Sequence, residues 1–178
     1  MPPDVPAVHP AALPPDELLK ACDVQRFRAS GPGGQHRNKV ETAVRLTHRP
    51  TGATGQATEK RSQHQNRQAA LRRLRVNLAL TVRGDASRSG PGERVPASAC
   101  WSARVHGGRL AINPRHEDFP ALLAEVLDHL AGQGHDPAAA ARGLGVTVSQ
   151  LLKLLRHEPR ALAELNARRA EAGLSPMR

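Results

Sequence analysis

The chain has 178 residues, enough for one domain of ordinary size or two small ones. It carries 26 Lys+Arg against 16 Asp+Glu, a formal net charge of +10, which points to a polyanionic partner. No apolar run approaches the ~20 residues that span a bilayer, no signal or transit pattern opens the chain, and Cys22 and Cys100 have neither metal-ligand spacing nor a disulfide framework.

A cytoplasmic, membrane-free setting without metal or cofactor is therefore expected. Aromatic content is 2%, so the core must come from Leu, Val and Ala, and base stacking is a poor candidate for the main binding mode.

Residues 1–23 form a proline-rich leader, expected to be extended or disordered, with one short helix over "PDELLKAC". Residues 24–83 follow as a compact basic unit. "VQRFR" (24–28) alternates as a strand and runs into a glycine loop. "AVRLTH" (43–48) is a second strand, with Val44 and Leu46 on one face, and "RPTGATGQAT" supplies turn residues and then a third. Ser62 with Gln65 is a capping-box pattern. Leu71, Leu74, Leu78 and Val82 then recur at helical spacing up to Gly84-Asp85, while Arg67, Arg72, Arg73 and Arg75 occupy the other face.

Residues 84–98 have a linker's composition. In the C-terminal unit, 99–178, a hairpin is expected around Gly107-Gly108 and a helix over Leu122–Leu130. Another opens at Asp136-Pro137, a third at the Thr147/Gln150 capping box, and a last one spans about 160–172. Ala141, Gly145, Val146, Leu151 and Leu154 have helix-turn-helix spacing, with Ser149, Gln150 and Lys153 facing outward. The expected class is α+β: a small mixed sheet packed by one long basic helix, then a mostly helical unit.

The positive charge is concentrated. Residues 25–83 hold 13 basic side chains against Glu41 and Glu59, a net of +11, whereas residues 84–178 net only +2. Inside the basic segment lies "RASGPGGQHRNKVETAV". It lacks the Gly-Lys-Ser/Thr of a phosphate loop and the third glycine of a dinucleotide loop. Gly33 and Gly34 remove side-chain bulk and permit a close backbone approach. Gln35 offers an N–H and an amide without a useful pKa, suited to placing water or stabilising an oxyanion rather than abstracting a proton.

"FRASGPGGQHRNKVETAVRLTHRPTG…RSQHQNRQAALRRL" resembles the catalytic, Gly-Gly-Gln-bearing domain of class I peptide chain release factors and their short, codon-independent ribosome-rescue relatives. The resemblance covers about residues 25–83. It implies an enzyme, a peptidyl-tRNA hydrolase acting in the peptidyl transferase centre of the large ribosomal subunit. Gly33 and Gly34 would shape the catalytic loop, and Gln35 would act at the ester and be a candidate for N5-methylation by a glutamine methyltransferase. Arg28, Ser30, His36, Arg37, Asn38 and Lys39 would contact RNA around the loop, and Arg61, Ser62, Gln63, Asn66 and Arg67 from the helix start.

A monomer bound to the ribosome and peptidyl-tRNA is expected. Only 32 residues precede Gly33, too few for the family's stop-codon-reading domain, so rescue of stalled ribosomes is the favoured role. The basic disordered tail of the short relatives is missing, since residues 160–178 net +2 and have a helical pattern. Two alternatives stand: a non-catalytic ribosome- or RNA-binding protein of the same fold, and a DNA-binding regulator acting through the helix-turn-helix spacing.

Overall fold

The computed structural model describes residues 8–28 and 41–178. The protein is α+β. Strands β1 (Cys22–Phe27), β2 (Ala43–His48) and β3 (Thr54–Ala57) form a sheet in the order β1-β2-β3. The sheet is antiparallel throughout rather than mixed, because each strand pairs with its neighbour in sequence: Phe27 opposes Ala43, and Thr47 opposes Thr54. Val44, Leu46, His48 and Ala57 turn one face onto helix α2 (Gln63–Thr81). Ser62 caps α2 as its sequence predicts, its Oγ accepting from the Gln65 N–H at 3.4 Å.

The helix buries Ala70, Leu74, Val76, Leu78 and Ala79, so its core stripe is wider than the four-residue leucine pattern. Leu71 and Val82 sit at its margin, only half-buried. The arginine face is also different. Arg75 is half-buried, donating from Nε to the Ala11 carbonyl at 2.9 Å and from Nη1 to the Glu117 carbonyl at 2.8 Å. Arg72 is bonded to the Pro114 carbonyl. Arg73 pairs with Glu59 at 2.8 Å and bonds the Gln56 carbonyl. Of the four arginines assigned to a free face, only Arg67 has no such partner among the described residues.

The leader also departs from expectation. Helix α1 (Pro15–Lys20) forms as predicted, but from residue 8 the preceding chain is folded, not extended. A 3-10 turn, Pro10–Ala12, seats Ala11 in the core. His9 caps this turn, Nδ1 accepting from the Ala11 N–H at 3.0 Å and Nε2 donating to the Val82 carbonyl at 3.2 Å. Proline composition signalled disorder because the group that orders His9 lies about seventy residues away.

Residues 84–98 are held as well. A 3-10 turn (Asp85–Arg88) packs on helix α4 (Phe119–Gly132), where Gly132 makes room: a Cβ there would lie 2.3 Å from the Ala86 carbonyl oxygen. Gln133 accepts from Gly92 N–H at 2.9 Å and donates to the Glu93 carbonyl at 3.1 Å. Beyond come α3 (Ala99–Ser102), the hairpin β4 (Val105–His106) and β5 (Arg109–Leu110), α5 (Pro137–Gly143), α6 (Val148–Arg156) and α7 (Pro159–Glu171). Gly107 and Gly108 take φ of 55° and 73° in the hairpin turn, the left-handed pair such a turn demands. One apolar cluster runs from the sheet through α2 and α4 into α6 and α7.

A buried acid marks the junction. Asp128 accepts from the Gly84 N–H at 3.0 Å, and burial raises its pKa from 3.8 to about 6. A carboxyl whose pKa is raised by folding contributes stability below its unfolded pKa and loses it as pH rises through the folded value. Asp128→Asn keeps the acceptor and removes the charge. The stability difference between variant and parent should therefore grow in the variant's favour from about pH 4 to pH 6 and level off above. Urea titrations across that range measure it, and a flat difference would contradict the burial assignment.

Candidate nucleic-acid interface and catalytic loop

The connection between β1 and β2, residues 28–42, leaves the sheet where Phe27 and Ala43 are paired. Its two feet are thus held one strand spacing apart. Arg28 and Glu41 approach across the neck, Nε to Oε1 at 3.8 Å, both side chains more than half exposed. Such a pair contributes little stability in water. Gly33, Gly34 and Gln35, with Ser30, His36, Arg37, Asn38 and Lys39, lie outside the described residues.

The second foot is anchored from α2. Asn66 is 0% exposed, and its Nδ2 donates to the Thr42 carbonyl at 2.7 Å and the Lys60 carbonyl at 2.9 Å. Its Oδ1 accepts from the Lys60 N–H at 2.9 Å. Only one orientation of the amide satisfies all three partners. The sequence expectation of an RNA contact at Asn66 is therefore corrected. The side chain is sealed and its polar atoms are occupied, so it ties the loop foot and the β3–α2 turn to the helix start. Asparagine's position in the first turn signalled polarity, but not the direction in which it points.

Around this clamp the surface is basic. Glu59 is committed: the Thr58 N–H bonds its Oε2 at 2.9 Å, and Arg73 adds to that, holding its carboxyl below the usual carboxylate range. Lys60, Arg61 and Arg67 are exposed and make no ion pair or side-chain hydrogen bond among the described residues. Ser62 is exposed while serving as the cap, and Gln63 is half-buried beside it. Arg61 and Ser62 thus precede α2, and Gln63 and Arg67 lie in its first two turns, close in sequence to the Asn66 that holds the Thr42 foot, with Arg28 at the other foot. Lys60 was not among the expected contacts, although "EKRSQ" carries its signal, adjacent cations just before a helix cap.

Other arginines of the basic segment are structural. Arg49 spans Lys20, Cys22 and Asp23 at the start of β1. Arg45 lies over the Phe27 ring at 5.5 Å and bonds Gln56. Arg83 pairs with Glu164 at 2.6 Å in a half-buried bridge between α2's end and α7. A shallow groove beside β3 is lined in part by Arg72, Arg73, Asn77 and Arg160, of which Arg73 pairs with Glu59, Arg160 pairs with Glu158 and Arg72 is bonded to the Pro114 carbonyl. It is not a small-molecule pocket of the usual apolar kind.

A three-stranded antiparallel sheet packed on one long helix, with the Gly-Gly-Gln segment lying in sequence between the paired ends of β1 and β2 and exposed cations near one of those ends, defines an α+β domain. The RF-1 domain family matches residues 16–99, a little under half of the chain, so this segment is similar to the RF-1 domain of peptide chain release factors.

Among curated proteins it is 44% identical over 125 residues to Peptide chain release factor 1 of Acidiphilium cryptum, covering 69% of this chain and 33% of that one. Peptide chain release factor 1 of Erythrobacter litoralis is 36% identical over 165 residues, 88% of this chain and 43% of the relative. That of Caldicellulosiruptor saccharolyticus is 52% identical over 56 residues, 32% and 16% of the two chains. This chain thus spans about a third to two-fifths of the length of the first two relatives. No solved structure matches it.

Proposed function

We propose that this chain hydrolyses the ester of peptidyl-tRNA on the ribosome, releasing the nascent peptide without reading a stop codon. The observation that carries the reading is the 28–42 connection, which bears Gly33-Gly34-Gln35 between paired strand ends and is clamped at Thr42 by Asn66. In the proposed step, water attacks the ester carbonyl, the bond to the tRNA 3′ oxygen breaks, and the products are a free peptide carboxyl and a 3′-hydroxyl. The Gln35 N–H would stabilise the leaving oxygen, and its amide would place water and exclude larger nucleophiles. No side chain of the loop is required as a base.

Arg28, Lys60, Arg61, Ser62, Gln63 and Arg67 would dock the feet of the loop on ribosomal RNA, joined from the loop by Ser30, His36, Arg37, Asn38 and Lys39. Phosphate contacts of this kind supply most of the affinity and make it salt-dependent. Methylation of Gln35 by a glutamine methyltransferase, action as a monomer and a cytoplasmic setting belong to the same proposal.

The test is single-turnover hydrolysis on ribosomes carrying peptidyl-tRNA, with and without a stop codon in the decoding site. Equal rates are expected, and release only with the stop codon would overturn the codon-independent reading. Gln35→Ala should slow release by at least about 100-fold, the scale of losing one oxyanion donor. An unchanged rate in Gln35→Ala and Gly34→Ala would overturn the catalytic role.

A further inference from the structure

Helices α5 and α6 form a turn of the helix-turn-helix kind whose exterior remains basic while the surrounding unit is near neutral. The turn is a Schellman closure: Gly145, at φ 67°, donates to the Arg142 carbonyl at 3.2 Å, and Val146 donates to the Ala141 carbonyl at 3.0 Å. Thr147 then caps α6, its Oγ1 accepting from the Gln150 N–H at 3.3 Å. Ala141, Leu144, Val146, Leu151, Leu154 and Leu155 are buried, which fixes the two helices on α4 and α7. Arg142, Ser149, Lys153 and Arg156 remain exposed. On α6, Ser149, Lys153 and Arg156 follow one another at i, i+4 and i+7, a single stripe.

The near neutrality of residues 84–178 hides how the charges are distributed. No acidic residue occurs between Asp136 and Glu158. The flanking acids are committed: Asp136 caps α5, Glu158 pairs with Arg160 at 2.7 Å, and Glu164 pairs with Arg83 at 2.6 Å. Arg142 and Lys153 have no ion pair or side-chain hydrogen bond among the described residues. Arg156 reaches only the Arg178 carbonyl. Among the described residues no acid on this face cancels its cations. Trp101 and Phe119 are buried, so neither is available for stacking on unpaired bases.

We propose that the α5–turn–α6 face binds the phosphate backbone of a double-stranded RNA segment. Arg142 and Lys153 supply the charge, and Ser149 and Gln150 at the start of α6 supply hydrogen bonds to phosphate or 2′-hydroxyl. The choice of RNA over DNA rests on the ribosomal reading above. The deep, narrow major groove of A-form RNA does not admit a helix, so this face recognises backbone shape and not sequence.

The experiment uses the full chain, an RNA hairpin of about 20 base pairs, long enough for a shape-reading contact, and a DNA duplex of the same sequence. Anisotropy is measured over a series of salt concentrations. Arg142→Glu with Lys153→Glu should weaken RNA hairpin binding at least about tenfold and lower the slope of log affinity against log salt by about two. Arg142→Gln with Lys153→Gln, which is milder to the fold, should give the same slope change with a smaller loss. An unaltered RNA affinity in both double variants, or tighter binding of the DNA duplex, would overturn the proposal. Gln35→Ala separates the two readings. It should leave hairpin affinity unchanged, and a failure of ester hydrolysis in the parent protein would leave the dependence on Arg142 and Lys153 intact.

Discussion

Gly55→Ala should cost about 3 kcal/mol of folding stability or more, at the upper end of what overpacking a core usually costs. A Cβ at Gly55 would lie 2.1 Å from the Ala70 carbonyl oxygen, 2.4 Å from the Leu74 nitrogen and 2.8 Å from the Leu74 Cα. All three are backbone atoms in the middle of α2, so no side-chain rotation relieves the clash. Either β3 moves away from the helix or the helix shifts, and both movements open the layer that buries Leu46, Ala57 and Leu74. In a chain of this size the loss corresponds to a fall of about 10 °C in melting temperature.

Gly52 is the comparison. It has φ 70°, and a Cβ there would meet nothing within 4 Å, so Gly52→Ala should cost only about 1 kcal/mol through its left-handed backbone. Thermal melts of the two variants measure the difference, and a Gly55→Ala protein as stable as Gly52→Ala would contradict the close approach of β3 to α2.

Asn66→Ala is expected to have the next largest effect. It removes the partner of the Lys60 N–H and of the carbonyls of Thr42 and Lys60, all in part-buried bonds, and each group left unpaired costs about 1–3 kcal/mol where water cannot replace the amide. Allowing for some water, a loss of about 3 kcal/mol in urea titration is expected. Asn66→Asp tests direction. It keeps the volume and the acceptor for Lys60 N–H but sets an anionic oxygen against two carbonyls, so it should be no better than alanine for stability.

If the proposed release activity holds, both variants also displace one foot of the Gln35 loop. A misplacement of about 1 Å can cost on the order of 100-fold in rate. The expected signature is a fall of about 10- to 100-fold in the maximal single-turnover rate, with a much smaller change in the ribosome concentration giving half that rate. A wild-type maximal rate in a folded Asn66→Asp protein would remove Asn66 from any positioning role.

Much of the local structure was legible from the chain alone, because local rules produce it. Strand β2 alternates over residues 43–48 and forms over the same span. Ser62 and Thr147 announce their helices through caps that need only residues three positions on. Gly107-Gly108, Gly145 and Asp136-Pro137 are likewise local demands of backbone geometry. Side-chain direction is harder to read, since it depends on what lies above the helix. Asn66 and Arg75 have the composition of a solvent face, yet one is sealed beneath the loop foot and the other bridges Ala11 and Glu117. Proline-rich and glycine-rich stretches at 8–15 and 84–98 carry the composition of loose chain, and they are ordered by bonds to Val82, Asp128 and Gln133.

By itself, then, the sequence determined the resemblance to the release-factor catalytic domain, the α+β class, the Gly-Gly-Gln motif and the concentration of positive charge, because motif order, periodicity and composition are written along the chain. Only the tertiary structure decided which polar side chains are free to meet a partner. It spends Arg45, Arg49, Arg73, Arg75 and Arg83 on internal contacts, leaves Lys60, Arg61 and Arg67 exposed beside the loop foot, and leaves Arg142 and Lys153 without acidic partners among the described residues on a second face. The physical reason is that a charged group's availability depends on the groups within a few ångströms of it, and most of those come from distant parts of the chain.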